Sequence, residues 1–207
     1  MKIGILTFNW ALNYGAVLQM YAEYKYLSRK GEVFVINYVP DYLANLYNPR
    51  IFSRPLTLKA VIGRTVTKVF WNKLRRKFRE FIFNNMVLTE ELNDSQQLAQ
   101  KAKDFDLVIV GSDQVWNYEI TKDYLKDYLL LGVGCNKASY AASLGRNEIS
   151  AEVLELFKRA LSEFNFVSVR EMESIGYLKK YTRGKITNFA WILSSCLASR
   201  NGKVWLD

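Results

Sequence analysis

Residues 105–117 read Phe-Asp-Leu-Val-Ile-Val-Gly-Ser-Asp-Gln-Val-Trp-Asn, an apolar run that ends in a glycine and a group of polar side chains. A continuous β-branched run of this length is typical of a strand that a parallel sheet buries on both faces. The glycine then permits a turn at the carboxyl end of the strand. The stretch therefore predicts an α/β protein with a central strand at 105–111 and a polar loop directly behind it.

Strand-like and helical patterns alternate on both sides of this strand. Residues 2–8 and 33–38 have strand character, and a helical pattern joins them over about residues 15–28, with Gly31 in the place of a C-terminal glycine. Beyond the central strand the predicted elements are strands at 137–142 and 166–169 and helices that begin at Ser150 and Glu171. This alternation predicts a Rossmann-like parallel sheet flanked by helices.

The composition excludes several classes of chemistry. The chain has 207 residues and no histidine, so it cannot supply a Ser-His-Asp triad, a Cys-His pair or a His-Glu-x-x-His zinc helix. Cys135 and Cys196 form no Cys-x-x-Cys pair, which favours a reduced, cytoplasmic setting, and we expect no metal and no cofactor. Residues 1–8 show no leader pattern, and no apolar run approaches the roughly 20 residues of a membrane span.

A basic segment holds much of the net charge of +9. Apolar residues recur in it every three or four positions, which predicts an amphipathic helix within an insertion at about residues 56–85. Two interpretations stay open. The segment is either a solvated surface helix, or a docking face for a lipid-linked substrate or for the inner face of an anionic membrane. The basic residues concerned are Lys59, Arg64, Lys68, Lys73, Arg75, Arg76, Lys77 and Arg79.

Ligands of open α/β sheets bind beyond the carboxyl ends of the strands, and two loops there carry candidate residues. In the first loop Asn13 is placed to cap a helix, and Tyr14 and Gly15 lie at its N-terminus, where N–H groups favour a phosphate or a carboxylate. In the second loop Asp113 could accept a proton. Its neighbours Ser112, Gln114, Trp116 and Asn117 could bind a sugar by hydrogen bonds or, for the indole, by stacking. The alternative is a core position for Trp116 and a helix-capping role for Asp113.

Two further loops carry one candidate residue each. The hydroxyl of Ser143 could bind an anion, although the packing of small residues explains its segment almost as well. Arg170 ends a predicted strand and could clamp a carboxylate or phosphate with two parallel hydrogen bonds, unless Glu171 pairs with it.

Five segments in this order resemble the polysaccharide pyruvyl transferase family. They read Thr7-Phe8-Asn9, Asn13-Tyr-Gly-Ala-Val-Leu-Gln19, Gly111-Ser-Asp-Gln-Val-Trp-Asn117, Tyr140-Ala-Ala-Ser-Leu-Gly145 and Ser168-Val-Arg-Glu171. The resemblance covers residues 1 to about 186 and adds Gln19 to the candidate substrate-binding residues. It departs from the family at Asn9, where a histidine is frequent.

The resemblance implies a two-domain fold similar to GT-B glycosyltransferases, of which residues 1–186 would form the N-terminal domain. It also implies transfer of pyruvate from phosphoenolpyruvate onto two hydroxyls of a sugar, which makes a ketal on a surface or cell-wall polysaccharide. We expect Asp113 to contact the acceptor, and the Tyr14–Gly15 turn and Arg170 to lie near the donor. The resemblance implies a glycan or a lipid-linked sugar as the acceptor, and no nucleic acid is expected.

The resemblance ends near residue 186, where the family continues with a second domain. Re-reading the codons from about Trp191 in a shifted frame permits the family's Asp-Pro and, further on, its Glu-Trp pair at the family's spacing. We therefore expect residues 187–207 to be an out-of-frame tail and this truncated chain to be inactive alone. A naturally short homologue remains an alternative. Two other functions also remain: a non-catalytic sugar- or phosphate-binding module, and a nucleic-acid binder that only the charge supports.

Overall fold

The computed structural model describes residues 1–45, 58–145, 149–182 and 186–187. Of the expected tail at 187–207, only Thr187 is described, where it pairs with Ser168, and residues 188–207 and the first positions of the basic insertion lie outside these ranges. Four parallel strands form the central sheet in the order β2-β1-β3-β4, which confirms the predicted parallel α/β architecture. Their bounds are Lys2–Leu6 for β1, Glu32–Val35 for β2, Leu107–Gly111 for β3 and Asn136–Tyr140 for β4.

A two-stranded parallel sheet continues this arrangement beside β4. It consists of β5, Val167–Ser168, and β6, Ile186–Thr187, and isolated bridges from Ala138 to Phe166 and from Ala142 to Val169 connect it to the main sheet. At the opposite edge, Leu88 and Leu92 bridge to the β2 side. The order of pairing is therefore that of a doubly wound Rossmann-like sheet. All strands are parallel, and the order in which successive strands are added reverses between β1 and β3.

Helices cover both faces of the sheet. The helices are α1 Tyr14–Leu27, α2 Asp41–Asn45, α3 Leu58–Asn85, α4 Ser95–Ala102, α5 Tyr118–Thr121, α6 Leu125–Tyr128, α7 Ala151–Leu161 and α8 Met172–Leu178, with 3-10 turns at Lys122–Tyr124 and Lys179–Tyr181. Successive residues of β3 belong to different apolar clusters, since Val108 and Val110 pack with α4 and α7 whereas Ile109 packs with β1 and β2. Burial on both faces explains why β3 is apolar at every position.

Most predicted boundaries agree with the structure to within a few residues, but the role of Gly31 was wrong. Helix α1 ends at Leu27 with Ser28 in a right-handed conformation, and Gly31 does not have a positive φ. A Cβ on Gly31 would instead lie 2.3 Å from the carbonyl oxygen of Met1. The glycine is therefore needed for the close approach of two backbones and not for a left-handed helix end.

The basic insertion forms helix α3, which confirms the predicted amphipathic helix over the described residues. Phe78, Ile82 and Met86 pack on Val17 and Met20 of α1. The opposite stripe is exposed and consists of Val69, Lys73, Arg76, Glu80 and Phe83, spaced at alternating intervals of four and three residues. Two apolar side chains are thus exposed to solvent beside two basic residues and one acidic residue, at 63% exposure for Val69 and 54% for Phe83.

A buried polar pair connects elements that are far apart in the sequence. The phenol of Tyr38, behind β2, donates a hydrogen bond of 2.5 Å to a carboxylate oxygen of Asp127 in α6. Burial raises the pKa of the Asp127 carboxyl, and the hydrogen bond opposes that rise. The pair fastens α6 beneath the edge of the sheet where β1 and β2 end.

No helix in the described part of the chain is both long enough and apolar enough to cross a bilayer.

Candidate functional site

The sheet places a cavity of about 360 Å³ at the point where its order reverses. This is the position at which open α/β sheets bind ligands, because the loops behind the two neighbouring strands diverge there. The lining residues come from the loop behind β1, the loop behind β3 and the helix α5 that follows it: Phe8, Trp10, Ala11, Asn13, Asp113, Gln114 and Ile120. Three of the predicted site residues, Asn13, Asp113 and Gln114, therefore share one cavity.

The first loop ends in a capped helix. The side-chain oxygen of Asn13 accepts hydrogen bonds from the N–H groups of Gly15, at 2.8 Å, and Ala16, at 3.3 Å, which confirms the predicted cap. These N–H groups were expected to bind the donor, and the cap already satisfies them. A Cβ on Gly15 would lie only 3.2 Å from the same Asn13 oxygen, so the glycine makes room for the cap. Tyr14 is 68% exposed beside this turn and packs its ring on Phe78 of α3.

The second loop presents Asp113 to the cavity. One carboxylate oxygen accepts a hydrogen bond of 2.7 Å from the N–H of Gln114, and the backbone carbonyl accepts one of 2.9 Å from the N–H of Ser143. Burial raises the pKa of the Asp113 carboxyl, and the Gln114 hydrogen bond and the charge of Arg170 oppose that rise. Asp113 does not cap α5, because Asn117 does so through the N–H of Glu119. A half-buried carboxyl with a raised pKa is suited to exchange a proton with a bound hydroxyl.

Asn117 and Trp116 have structural roles in this loop. The amide nitrogen of Asn117 donates to the side-chain oxygen of Gln114 at 3.0 Å and so holds Gln114 at the cavity. Trp116 is only 1% exposed, and its indole N–H donates to the carbonyl of Tyr128. The ring packs edge-on against Phe157 and Phe164. The prediction that Trp116 stacks on a sugar was wrong, since the indole belongs to the core.

Arg170, behind β5, reaches the same edge of the sheet. Its Nη2 donates to the carbonyl of Ser112 at 2.7 Å and to the side-chain oxygen of Gln19 at 3.3 Å. Gln19 belongs to α1, so three separate segments of the chain meet at this guanidinium. Within the described residues no hydrogen bond engages its Nη1, which leaves donor capacity for an anionic ligand.

Ser143 does not offer a free hydroxyl. It donates a short hydrogen bond to one carboxylate oxygen of Glu171, while the N–H of Leu144 donates to the other at 3.4 Å. The expected anion site at Ser143 is therefore occupied by the protein's own carboxylate. Glu171 pairs with this segment and not with Arg170, so that sequence alternative was wrong as well.

Asn9 faces a second cavity of about 260 Å³, on the other side of the loop behind β1. Its amide nitrogen donates to the side-chain oxygen of Asn37 at 2.7 Å, and its own oxygen is buried without a hydrogen-bond partner among the described residues. Arg75 and Arg79 of α3 line the same cavity. The amide at position 9 can therefore hydrogen-bond but cannot transfer a proton as an imidazole does.

Glu23 is the residue of this region that the sequence patterns did not reveal. It lies in α1 one helical turn after Gln19 and is 2% exposed. One oxygen of its carboxylate accepts a hydrogen bond of 2.7 Å from the hydroxyl of Ser112. Burial raises the pKa of Glu23 to about 7, and the Ser112 hydrogen bond opposes that rise. A carboxylate among apolar residues of a helix was the only available signal.

In a comparison with profiles of known protein families, the profile of polysaccharide pyruvyl transferase matches residues 13–190. This range covers most of the chain and includes four of the five segments that carry the resemblance. The chain belongs to the polysaccharide pyruvyl transferase family. A search among curated proteins returned no significant match.

Membership of the polysaccharide pyruvyl transferase family gives the cavity its chemical context. The matched range contains Asn13, Asp113, Gln114 and Arg170, whereas Asn9 lies before it. It also extends four residues past residue 186, near which the resemblance was expected to end. Among the residues that the structure describes, no group of three His, Cys, Asp or Glu side chains is arranged to hold a metal ion.

Proposed function

We propose that this chain forms the amino-terminal wall of the cleft of a pyruvyl transferase that uses phosphoenolpyruvate as donor. The acceptor is a sugar of a surface or cell-wall polysaccharide, free or linked to a lipid. The observation that carries the proposal is that the family match includes both Asp113 in the cavity and Arg170 beside it. In this proposal a second domain similar to that of GT-B proteins supplies the opposite wall.

The reaction needs one proton donor, one proton acceptor and positive charge. Protonation of the donor's methylene carbon makes the adjacent carbon electrophilic, and a sugar hydroxyl adds to it. A second hydroxyl then forms the other C–O bond as the C–O bond to phosphate breaks. One of the two hydroxyl protons balances the proton gained by the methylene group, and the other leaves on phosphate.

Asp113 and Arg170 suit two of these roles. The Asp113 carboxylate lies on the cavity and can accept the proton of an acceptor hydroxyl, with Gln114 available to hydrogen-bond the sugar. The guanidinium of Arg170 carries the charge that a carboxylate or phosphate of the donor requires. In this proposal the residue that protonates the methylene carbon belongs to the second domain, on the opposite wall of the cleft.

The reaction is tested by phosphate release from phosphoenolpyruvate in the presence of a pyruvate-free surface polysaccharide. The assay uses this chain and a version whose reading frame is restored from about residue 187, each with and without Asp113→Asn. Release together with ketal formation, seen by proton NMR and lost in Asp113→Asn, supports the proposal. Binding of the glycan without turnover in either version would favour the non-catalytic module instead.

We also propose that the exposed stripe of α3 contacts an anionic membrane surface, where a lipid-linked acceptor would be presented. The support is the combination of exposed Val69 and Phe83 with Lys73 and Arg76 on one face of the helix. Apolar side chains enter the boundary of the acyl chains while basic side chains remain at the anionic headgroups. Arg79 adds a guanidinium 5.6 Å above the ring of Phe83.

A further inference from the structure

Glu23 places a carboxyl group where the protein offers it little compensation. One oxygen accepts the hydrogen bond from Ser112, and the other is buried without a hydrogen-bond partner among the described residues. An unpaired buried oxygen costs free energy that an apolar side chain at this position would not incur. The carboxyl therefore calls for a role other than stability.

Ser112 is the residue that this carboxyl holds. Its φ is +64°, a left-handed backbone conformation that residues other than glycine adopt only at a cost of about 1–3 kcal/mol. Three hydrogen bonds fix it there: its N–H donates to Tyr140, its carbonyl accepts from Arg170 and its hydroxyl donates to Glu23. The preceding Gly111 has a φ of +143°, so the whole turn behind β3 is unusual.

This turn determines the direction in which the next residue points. Asp113 follows Ser112 directly and lines the cavity, while Arg170 is held beside it through the Ser112 carbonyl. The Glu23 hydrogen bond joins Ser112 in this turn directly to α1. Loss of that contact leaves the Ser112 hydroxyl without its partner in α1. The positions of Asp113 and Arg170 then become less fixed together.

We propose that Glu23 is a positioning residue which, through Ser112, fixes Asp113 in the cavity and Arg170 next to it. The inference rests on the proposed function for the identity of the ligand, but the positioning itself is a property of the fold. Two charged groups are connected to Glu23 through Ser112: Asp113, which follows Ser112 in the chain, and Arg170, which donates to the Ser112 carbonyl. Because burial brings the pKa of Glu23 to about 7, the strength of its hydrogen bond to Ser112 changes across neutral pH.

Amide hydrogen exchange tests the positioning without any assay of function. The reporter is the N–H of Ser143, which donates to the carbonyl of Asp113. We expect Glu23→Leu and Ser112→Ala each to lower its protection about tenfold, and Glu23→Gln, which keeps an acceptor oxygen, to change it less than about twofold. The matched control is Glu152→Leu at an exposed position of α7.

Unchanged protection of Ser143 in Ser112→Ala would overturn the proposal, and this variant decides the matter if Glu23→Leu fails to fold. Phosphoenolpyruvate affinity between pH 6 and 8 provides the second measurement. The affinity of the wild type should change with pH more than that of Glu23→Gln does. Identical pH profiles for the two proteins would contradict the positioning role of Glu23. If neither this chain nor the frame-restored version binds phosphoenolpyruvate, the proposed donor is wrong and the exchange result alone decides the role of Glu23.

Discussion

The guanidinium of Arg170 donates a 2.7 Å hydrogen bond to the carbonyl of Ser112, joining the carboxyl end of β5 to that of β3. The same nitrogen reaches Gln19, 151 residues away in the sequence. One cation thus connects three segments of the sheet edge, and its charge acts on Asp113, which lines the cavity.

Replacement of Arg170 by lysine should weaken phosphoenolpyruvate binding by at least tenfold. An ammonium keeps the charge but cannot bond the Ser112 carbonyl, Gln19 and a ligand with the fixed geometry of a guanidinium. Isothermal titration calorimetry measures the affinity. Arg159→Lys, at an exposed position of α7, is the control and should bind as the wild type does. Equal affinities for the two variants would remove Arg170 from the donor site.

In the frame-restored version, Asp113→Asn should lower the rate of pyruvyl transfer by about 10²–10⁴, the usual contribution of a general base. The raised pKa also predicts a pH effect on stability. The folded protein binds the proton more tightly than the unfolded chain, so this stabilisation is complete below the unfolded pKa and is lost as the pH rises through the folded pKa. Urea unfolding between pH 3 and 8 should show a shallower decline in Asp113→Asn. A decline as steep as that of the wild type would contradict the assignment.

Gly111→Ala should fail to give a folded protein at 25 °C. The added Cβ would lie 2.1 Å from the carbonyl oxygen of Tyr140, and the φ of +143° disfavours any side chain. Gly134→Ala is the matched control, because a Cβ there meets nothing within 4 Å. Circular dichroism and the unfolding midpoint compare the two. A cooperative, near-native Gly111→Ala protein would show that the turn behind β3 is described incorrectly.

Tyr38→Phe should lower the free energy of unfolding by about 1–3 kcal/mol, because it leaves the buried Asp127 carboxyl without its phenol partner. Addition of Asp127→Asn should recover part of the loss, since the amide carries no charge that requires compensation. Urea denaturation of the single and double variants measures the coupling. Strictly additive effects would mean that the two groups do not interact.

Vesicles of phosphatidylglycerol should retain the protein, and vesicles of phosphatidylcholine should not. Each basic residue near an anionic surface contributes about 1 kcal/mol, so Lys73→Gln and Arg76→Gln should each reduce partitioning about fivefold. Val69→Ser with Phe83→Ser should reduce it further at every salt concentration. Lys103→Gln, in the turn after α4, is the control. Retention that is insensitive to all of these changes would exclude α3 as the membrane contact.

Local sequence was sufficient for the elements and for residues whose role is set within a few positions. The apolar run of β3, the Asn13 cap and the polar turn at Asp113 all depend on near neighbours, and all were predicted. The direction of Trp116 could not be, because Phe157, Phe164 and the Tyr128 carbonyl that receive its indole come from other segments. The polar character of a loop does not reveal which of its side chains points inward.

The same limit applies to the partners of charged residues. Sequence adjacency suggested that Glu171 would pair with Arg170, whereas Ser143 binds Glu171 and Ser112 binds Arg170. Glu23 looked like an ordinary helix residue until the turn behind β3 was seen to lie against α1. These contacts depend on the pairing of β1, β3 and β4, which no local pattern specifies.

The central position of β1 also has a consequence for synthesis of the chain. Its partner β2 follows about 30 residues later, but β3, on its other side, begins only at Leu107. At a synthesis rate of about 5–20 residues per second, one edge of β1 stays unpaired for roughly 5–20 s until β3 has been synthesised. During that interval the nascent βαβ unit exposes the unpaired edge of an apolar strand. Chaperones bind surfaces of this kind, and strands of neighbouring chains can pair with them.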